Sequence, residues 1–335
     1  MSEIGHLAPI DVGPVRIAEP VMLAPMSGIS DLPFRRLVKR QGAGLVVSEM
    51  IASQALVRNS RKTLRMLSSC AEEFPMAVQL AGCEPTVMAE AARFNADRGA
   101  AIIDINMGCP VKKVVRGEAG SALMRDPALA GRIIAAVVAA VELPVTLKIR
   151  TGWDENSRNA PELARIAEDL GVRMVVVHGR TRQQMFSGSA DWRFISQVKK
   201  AVTIPVIANG DVRSFDDARD ILRQSGADGL MIGRGCYGKP WLPAHIGHFL
   251  RTGKRSAPPP LTEQRAILLE HFEAVLEHYG DDIGVRTARK HIGWYTKGLP
   301  GSAAFRAEVN GRADSATVRR LISDYFGRLL DRRAV

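Results

Sequence analysis

The sequence contains eight short apolar runs rich in β-branched residues, and most of them are separated by segments with helical periodicity. Strands that alternate with helices form βα units, so this pattern predicts an α/β fold with a parallel sheet. Eight units within roughly 230 residues match a (β/α)8 TIM barrel. The predicted strands are Val21–Ala24, Gly44–Ser48, Met76–Leu80, Ala101–Asn106, Val145–Ile149, Met174–His178, Val206–Ala208 and Gly229–Ile232.

The intervening segments carry apolar residues at helical spacing with charged residues between them. The link between the second and third strands is the least regular, and Ser60–Leu67 is the expected short helix there. The other predicted helices are Leu32–Gln41, Thr86–Arg98, Ala128–Val141, Pro161–Leu170, Trp192–Ala201 and Phe215–Gln224.

A doubly wound open sheet is the alternative arrangement of alternating strands and helices. It would need a glycine-rich phosphate loop after an early strand. The segment Ala24–Gly28 (APMSG) does not have the GxGxxG pattern. The barrel is therefore the preferred fold.

The strand pattern stops after Phe249. The basic, proline-rich segment Arg251–Pro260 (RTGKRSAPPP) is typical of an interdomain linker. Three helices are predicted beyond it, at Leu261–Tyr279, Val285–Lys297 and Ser315–Arg332. We therefore predict a catalytic barrel at residues 1–250 and a small all-helical domain at residues 251–335.

The composition, 46% hydrophobic and 24% charged over 335 residues, is typical of a soluble protein with a large core. Four scattered cysteines form no CxxC pair, so neither a metal site nor a disulfide framework is expected. No apolar run approaches the roughly 20 residues that cross a bilayer, and residues 1–20 contain no signal-peptide core. We expect a cytoplasmic monomer that binds no membrane.

The net charge is +11, which attracts polyanions such as nucleic acids. From residue 251 onward, 15 Lys and Arg stand against 10 Asp and Glu, so positive charge is denser in the predicted helical domain. Two interpretations stay open for this domain. It is either a solvated helical surface or a polyanion-binding appendage.

Cys109 lies in a loop that follows the apolar run Ala101–Ile105, with Lys112, Lys113 and Arg116 just behind it. A thiol beside fixed positive charge is a candidate reactive group, because cations favour the thiolate. A small buried hydrophobe is the alternative role for such a cysteine. The loop alone leaves both possibilities open.

Catalytic residues of (β/α)8 barrels sit at the C-terminal ends of the strands. Most strands predicted here end in polar residues, and Lys148 in an apolar strand needs a partner or a ligand. The residues at these ends, taken in strand order, are Pro25, Met26, Ser27, Gln79, Asn106, Lys148, Arg150, His178, Arg180, Asn209, Gly210, Asp211, Gly233 and Arg234.

The glycine-containing segments Asn209–Asp211 and Gly233–Gly235 follow strands seven and eight, where barrels often bind phosphate through backbone N–H groups. Together with the polar groups across the mouth, such a phosphate site suits FMN. Gln79 is expected to bond the polar edge of the flavin ring. Lys148 is expected to stabilise negative charge on the reduced ring, and Pro25–Ser27 would border the ring with backbone groups.

Several longer segments share a common pattern. Together they resemble the tRNA-dihydrouridine synthases, and the C-terminal segment is most similar to the bacterial B subgroup. Ser27 is a departure, because the family usually has Ala at that position. The matching segments are Ala24–Arg35 (APMSGISDLPFR), Asp104–Pro110 (DINMGCP), Ala119–Met124 (AGSALM), Leu147–Trp153 (LKIRTGW), Val177–Arg182 (VHGRTR), Ile207–Asp211 (IANGD), Met231–Gly235 (MIGRG) and Arg286–Tyr295 (RTARKHIGWY).

The resemblance implies reduction of the C5–C6 double bond of uridines in tRNA, with FMN as cofactor and NADPH (or NADH) as reductant. It implies hydride transfer to C6 and protonation of C5 by Cys109, which then acts as a neutral thiol. Lys112 and Lys113 are accordingly assigned to RNA phosphate. The remaining residues expected to contact tRNA are Asn106, Arg180, Arg286, Arg289, Lys290 and Lys297, and His178 and Arg180 are expected to border the flavin and the flipped base.

Three other functions compete with this hypothesis. A flavin dehydrogenase acting on a small molecule would share the barrel and FMN. An aldolase that forms a Schiff base through Lys148 would need no flavin. An RNA-binding protein without catalytic activity would not depend on Cys109.

Overall fold

The computed structural model describes residues 7–54 and 71–332, so the predicted helix Ser60–Leu67 lies outside the described residues. The chain divides into two compact units. The first comprises Met1–Gly235 and Trp241–Arg255, and the second comprises Cys236–Pro240 and Ser256–Val335.

The first unit is built on a closed barrel of eight parallel strands. Each barrel strand pairs with the next in chain order, and β11 closes the circle by pairing with β3, where Met231 lies opposite Met22. The predicted (β/α)8 barrel is confirmed. The strands are β1 (Ile10–Val12), β2 (Val15–Ile17), β3 (Val21–Leu23), β4 (Leu45–Val47), β5 (Ile51–Ala52), β6 (Met76–Ala81), β7 (Ile102–Met107), β8 (Val145–Arg150), β9 (Met174–His178), β10 (Val206–Asn209) and β11 (Gly229–Ile232).

An antiparallel hairpin of β1 and β2 covers the N-terminal end of the barrel. Ile10, Val12 and Ile17 join the inward-facing residues of the barrel strands in one buried cluster. The hairpin turn at Gly13 has φ +59°, which suits glycine, and it lies against Pro144 just before β8. The sequence analysis missed this hairpin, because its strands are stabilised by contacts with residues that are distant in the sequence.

Helices follow the barrel strands, and their starts explain their positions. The side chains of Asp31, Asp126, Asp191 and Ser214 each accept a hydrogen bond from an N–H of the first helical turn. The helices are α1 (Leu32–Arg40), α2 (Pro85–Ala96), α3 (Lys112–Arg116), α4 (Pro127–Val138), α5 (Ala160–Asp169), α6 (Trp192–Ala201), α7 (Phe215–Ser225) and α8 (Leu242–Thr252). The bounds of α1, α2 and α4 to α7 lie within a few residues of those predicted, whereas α3 and α8 were not predicted.

The second unit contains four long helices, α9 (Leu261–Tyr279), α10 (Asp281–Tyr295), α11 (Ser302–Asn310) and α12 (Ser315–Asp331). The sequence analysis missed α11, which buries only Ser302, Phe305 and Val309. Helix α10 begins one turn before the predicted start, because two aspartates favour a helix N-terminus. None of the helices in the described ranges is both long and apolar enough to cross a membrane.

Two neighbouring arginines of α1 pair with two neighbouring glutamates in very different surroundings. Arg35 Nε lies 2.5 Å from Glu73 Oε1, and both side chains are almost fully buried. Arg36 pairs with Glu72 at 3.1 Å, with side chains 35% and 53% exposed. Only the first pair would leave a buried charge without its partner if one member were removed.

We predict that Arg35→Met lowers the free energy of unfolding by about 3–5 kcal/mol, because it removes one member of an almost fully buried ion pair. Arg36→Met, the matched change at the exposed pair, is expected to cost at most ~1 kcal/mol. Urea unfolding of both variants measures the difference. Equal losses would show that burial of the first pair has no energetic weight.

Candidate active site at the C-terminal end of the barrel

Cys109 lies two residues after the end of β7, on a loop that is bonded to the barrel at both sides. Asn106 Oδ1 accepts hydrogen bonds from the N–H groups of Gly108 (3.1 Å) and Cys109 (2.9 Å). The carbonyl of Cys109 accepts from Ser121 Oγ at 2.9 Å and from the N–H of Ser121 at 3.1 Å. The thiol is therefore carried by a fixed backbone.

A series of hydrogen bonds between buried side chains of the barrel strands supports the Cys109 loop. Asn106 Nδ2 donates to Gln79 Oε1 at 2.7 Å, and Gln79 Nε2 donates to Asp104 Oδ2 at 2.7 Å. Thr146 Oγ1 donates to the other oxygen of Asp104 at 2.7 Å. Because each buried group has a partner, these hydrogen bonds fix the side-chain positions of Asn106 and Gln79. Gln79 keeps one N–H for a ligand.

Burial raises the pKa of the Cys109 thiol above its ordinary value of 9.0. A backbone hydrogen bond and the charges of Arg150 and Lys148 act in the opposite direction but do not outweigh burial. The thiol is therefore neutral at physiological pH. Lys112 and Lys113, which are exposed at the start of α3, are not among the groups that shift this pKa.

Lys148 projects from β8 and donates to Asn209 Oδ1 at 3.1 Å. Burial, together with the neighbouring charge of Arg150, lowers the pKa of Lys148 to about 8, although Asp104 and Cys109 act against this shift. The amine is therefore largely protonated at neutral pH and partnered by an amide. An anionic group placed nearby would stabilise its charge.

His178 ends β9 next to these cations. Burial, and then the charges of Arg150 and Lys148, lower the pKa of His178 well below 6.5, so the ring is neutral. Its Nδ1 atom is buried and has no hydrogen-bond partner in the described structure. A buried polar atom without a partner is a candidate contact for a ligand bound at this end of the barrel.

Positive charge also gathers where β10 and β11 end. The carboxylate of Asp211 bonds Arg180 at 2.6 Å and Arg234 at 3.3 Å, and lies 3.9 Å from Arg213. Burial raises the pKa of Asp211, but the bonds from Arg180 and the N–H of Ala190 outweigh it and keep the pKa below its ordinary value. Three guanidinium groups around one carboxylate leave net positive charge, which suits an anion.

The backbone at this end requires glycine. Gly210 has φ +130°, and a Cβ there would lie 2.7 Å from the side chain of Ala190. A Cβ on Gly233 would lie 3.5 Å from Met26 Sδ, so the loops after the first and last barrel strands meet. A short 3-10 helix, Arg234–Cys236, follows β11 directly.

The segment Pro25–Ser27 follows β3 and leads into a turn in which the N–H groups of Ile29 and Ser30 donate to the carbonyl of Met26. The N–H of Met26 donates to Ser30 Oγ at 2.8 Å, so this group is already occupied. Ser27 is exposed, and Pro25 and Met26 are partly exposed. The predicted contact of this segment with a flavin ring stays a prediction.

Arg150 has no role in the sequence analysis, yet it holds two loops together at the mouth, the Cys109 loop and the segment after β9. Its Nε donates to the carbonyl of Gly108 at 2.8 Å, and one terminal nitrogen donates to the carbonyls of Thr181 and Met185, each at 2.8 Å. Carbonyls do not neutralise its charge. The sequence does contain a signal for Arg150. Alternate residues of a strand share one face, so Arg150 lies on the same face of β8 as Thr146 and Lys148.

The other residues assigned to tRNA lie in different surroundings. Arg180 is 2% exposed and also bonds the carbonyls of Ser187 and Gly188, so little of it is available to RNA. Asn106 is buried and donates to Gln79. In the helical unit, Arg286 and Lys297 are exposed and Lys290 is partly exposed, whereas partly exposed Arg289 donates to the carbonyl of Arg312 at 2.7 Å. The roles of all these residues stay predictions.

The family described as dihydrouridine synthase (Dus) matches residues 22–326, which is most of the chain. The chain belongs to the dihydrouridine synthase family. The predicted resemblance is confirmed, and the family is one of oxidoreductases.

Two relatives are about half identical to this chain over nearly their full length. A probable tRNA-dihydrouridine synthase of Rickettsia conorii is 54% identical over 323 residues, covering 96% of this chain and 98% of that protein. The tRNA-dihydrouridine synthase B of Xanthomonas axonopodis pv. citri is 52% identical over 321 residues, covering 96% and 97%. Both span nearly the full length of the dihydrouridine synthase chain described here.

A solved structure shows the same fold at greater distance. The 2-naphthoyl-CoA reductase complex with 2-naphthoyl-CoA has a TM-score of 0.58 at 13% identity, and the match covers 73% of this chain and 52% of that one. At this identity the likeness concerns the barrel alone. The site of this dihydrouridine synthase must therefore be judged from its own residues.

We predict that alkylation of Cys109 by iodoacetamide keeps rising with pH beyond pH 9, because burial raises the pKa of the thiol. Lys148→Met is expected to leave the profile above pH 9 little changed, because a pKa of about 8 makes the Lys148 amine neutral there in the wild type as well. Mass spectrometry of the modified peptide measures the rate at each pH. A plateau below pH 8 would show that the resting group is a thiolate.

Proposed function

We propose that this protein reduces the C5–C6 double bond of specific uridines in tRNA to 5,6-dihydrouridine, with FMN as cofactor and NADPH or NADH as reductant. The family match over residues 22–326 carries the proposal. The chemistry of the barrel mouth supports it. The neutral Cys109 thiol can donate a proton, and the cations at the ends of β10 and β11 suit a phosphate group.

The residues present fit FMN on two observations. The net positive charge around Asp211 suits the phosphate, with Arg234 and the backbone of Gly210 and Gly233 as its partners. The unpartnered Nδ1 of His178 and the remaining N–H of Gln79 suit the polar groups of a flavin. The further members of this proposed set are Pro25, Met26, Ser27, Lys148 and Asn209.

When bound, reduced FMN supplies the hydride that C6 of uracil accepts. Cys109 then donates its thiol proton to C5, which requires the neutral thiol that burial provides. Lys148 holds its positive charge against negative charge on the reduced ring, and Asn209 fixes the position of its amine. Asn106 keeps the Cys109 loop in place during the transfer.

A uridine within folded tRNA must leave its stack before it can reach the barrel mouth. Phosphate contacts from lysine and arginine hold the RNA while the base is turned out. Lys112 and Lys113 are the first two residues of α3, near Cys109, and their exposed side chains supply positive charge for such phosphate contacts. In the helical unit, which we propose to be the tRNA-binding domain, Arg286, Arg289, Lys290 and Lys297 add to it.

The test is an anaerobic half-reaction. The flavin of the purified protein is reduced with NADPH and mixed with tRNA that lacks modifications, and its absorbance is followed. Fast reoxidation by tRNA but not by free uridine supports the proposal. A flavin that tRNA leaves reduced, or a protein that binds no flavin even when FMN is added, contradicts it.

We predict that Cys109→Ala keeps flavin and tRNA binding but lowers dihydrouridine formation by about 10²–10⁴-fold, the usual contribution of a general acid. Wild-type turnover should fall as pH rises through the raised pKa of Cys109, because the proton is then lost. Cys83→Ala is the matched control, since Cys83 follows β6 near the same end of the barrel. Loss of flavin from Cys109→Ala would make this residue structural.

We predict that the double variant Arg286→Gln/Lys297→Gln weakens tRNA binding and lowers the slope of log Kd against log salt by about one for each phosphate that the variant no longer neutralises. Within the described part of the chain, neither residue forms an ion pair. Arg312→Gln/Arg319→Gln removes the same charge from residues that pair with glutamates in the same unit. A wild-type slope in Arg286→Gln/Lys297→Gln would exclude these two residues from phosphate binding.

A further inference from the structure

Phe186 is 52% exposed, more than Phe74, Val111 or Ile283, the other exposed large hydrophobic residues of the described chain. It lies on the segment Thr181–Ala190, which follows β9 at the catalytic end of the barrel. A single exposed ring needs no explanation by itself. The hydrogen bonds that fix the backbone around Phe186 do need an explanation.

Two buried arginines fix the backbone on both sides of Phe186. Arg150 donates to the carbonyls of Thr181 and Met185, each at 2.8 Å. Arg180 donates to the carbonyls of Ser187 at 3.0 Å and Gly188 at 2.7 Å. The ring is therefore displayed from a segment with a defined backbone.

The conformation just before the ring also directs it outward. Met185 has φ +52°, a left-handed conformation that is uncommon for residues other than glycine. Such conformations persist where the surrounding bonds impose them, and here the bond from Arg150 ends on Met185 itself.

Two cations lie near the ring. The guanidinium carbons of Arg150 and Arg234 lie 5.7 Å and 5.3 Å from its centroid. Arg150 also bonds the carbonyl of Gly108 at 2.8 Å, which places the ring segment beside the Cys109 loop. A flat apolar surface near two cations at a catalytic mouth matches a nucleotide, which has an aromatic base and an anionic phosphate.

We infer that Phe186 is a stacking platform for the base next to the target uridine. This inference rests on the proposed function. A uridine that leaves the helix exposes the faces of its neighbours, and an aromatic side chain restores the stacking without reading the sequence. The bond from Arg150 to Gly108 keeps this segment beside the Cys109 loop, so the platform holds the RNA strand beside the site of proton transfer.

The test compares Phe186→Ala, Phe186→Trp and Phe74→Ala in the flavin-loaded protein. Phe74 is 45% exposed but precedes β6, at the opposite end of the barrel strands, so it is a matched exposed ring. The dissociation constant for unmodified tRNA is measured over a range of salt concentrations. Bound flavin and its rate of reduction by NADPH are measured on the same samples.

Phe186→Ala is expected to raise the tRNA Kd about five- to tenfold, the lower range for loss of one stacked base. The salt slope should stay that of the wild type, because no charge is removed. Phe186→Trp should restore the affinity, and Phe74→Ala should bind like the wild type.

Several outcomes would overturn the inference. Wild-type tRNA affinity in Phe186→Ala would show that the ring contacts no base. Loss of flavin or slower reduction by NADPH in that variant would assign the ring to the cofactor or the nicotinamide. Failure of tRNA to reoxidise the wild-type flavin is a different result, since it refutes the proposed function whatever the variants do.

Discussion

Positive charge buried beneath the mouth of the barrel, with backbone carbonyls among its hydrogen-bond partners, is the constraint on which the rest of the site depends. Arg150 is 3% exposed, and it donates hydrogen bonds to backbone carbonyls of the loops around it. Carbonyls satisfy its hydrogen bonds but leave its charge in place. That charge lowers the pKa of both His178 and Lys148.

The same cations favour the thiolate of Cys109, and burial opposes them. The result is a raised pKa, so burial is the larger of the two effects. This balance separates two functions that a cysteine beside cations can have. A nucleophile needs the thiolate, whereas a proton donor needs the neutral thiol, and the geometry here favours the donor. The nearby charge still helps the donor, because it stabilises the anion left after the proton has gone.

The fold could be predicted from the sequence because apolar runs and helical segments recur eight times, and a closed parallel barrel satisfies that pattern. The residues at the strand ends could also be identified, since the C-terminal ends of parallel strands meet at one end of a barrel. The hairpin of β1 and β2 was not found, because it depends on contacts with inward-facing residues that are distant in the sequence. Helix α11 was missed for a similar reason, since only three of its residues are buried.

The partners of the site residues were the least accessible to sequence reasoning. Two-residue periodicity places Asp104 and Asn106 on one face of β7, and strand register sets Asp104 opposite Thr146 on β8. Register is a property of strand pairing, so a single sequence does not reveal that Thr146 donates to Asp104 or that Gln79 links Asp104 to Asn106. The direction of the Cys109 pKa shift depends on burial in the same way. The cations around Cys109 were visible in the sequence and suggested a thiolate, whereas the burial that keeps the thiol neutral arises only when the loop packs onto the barrel.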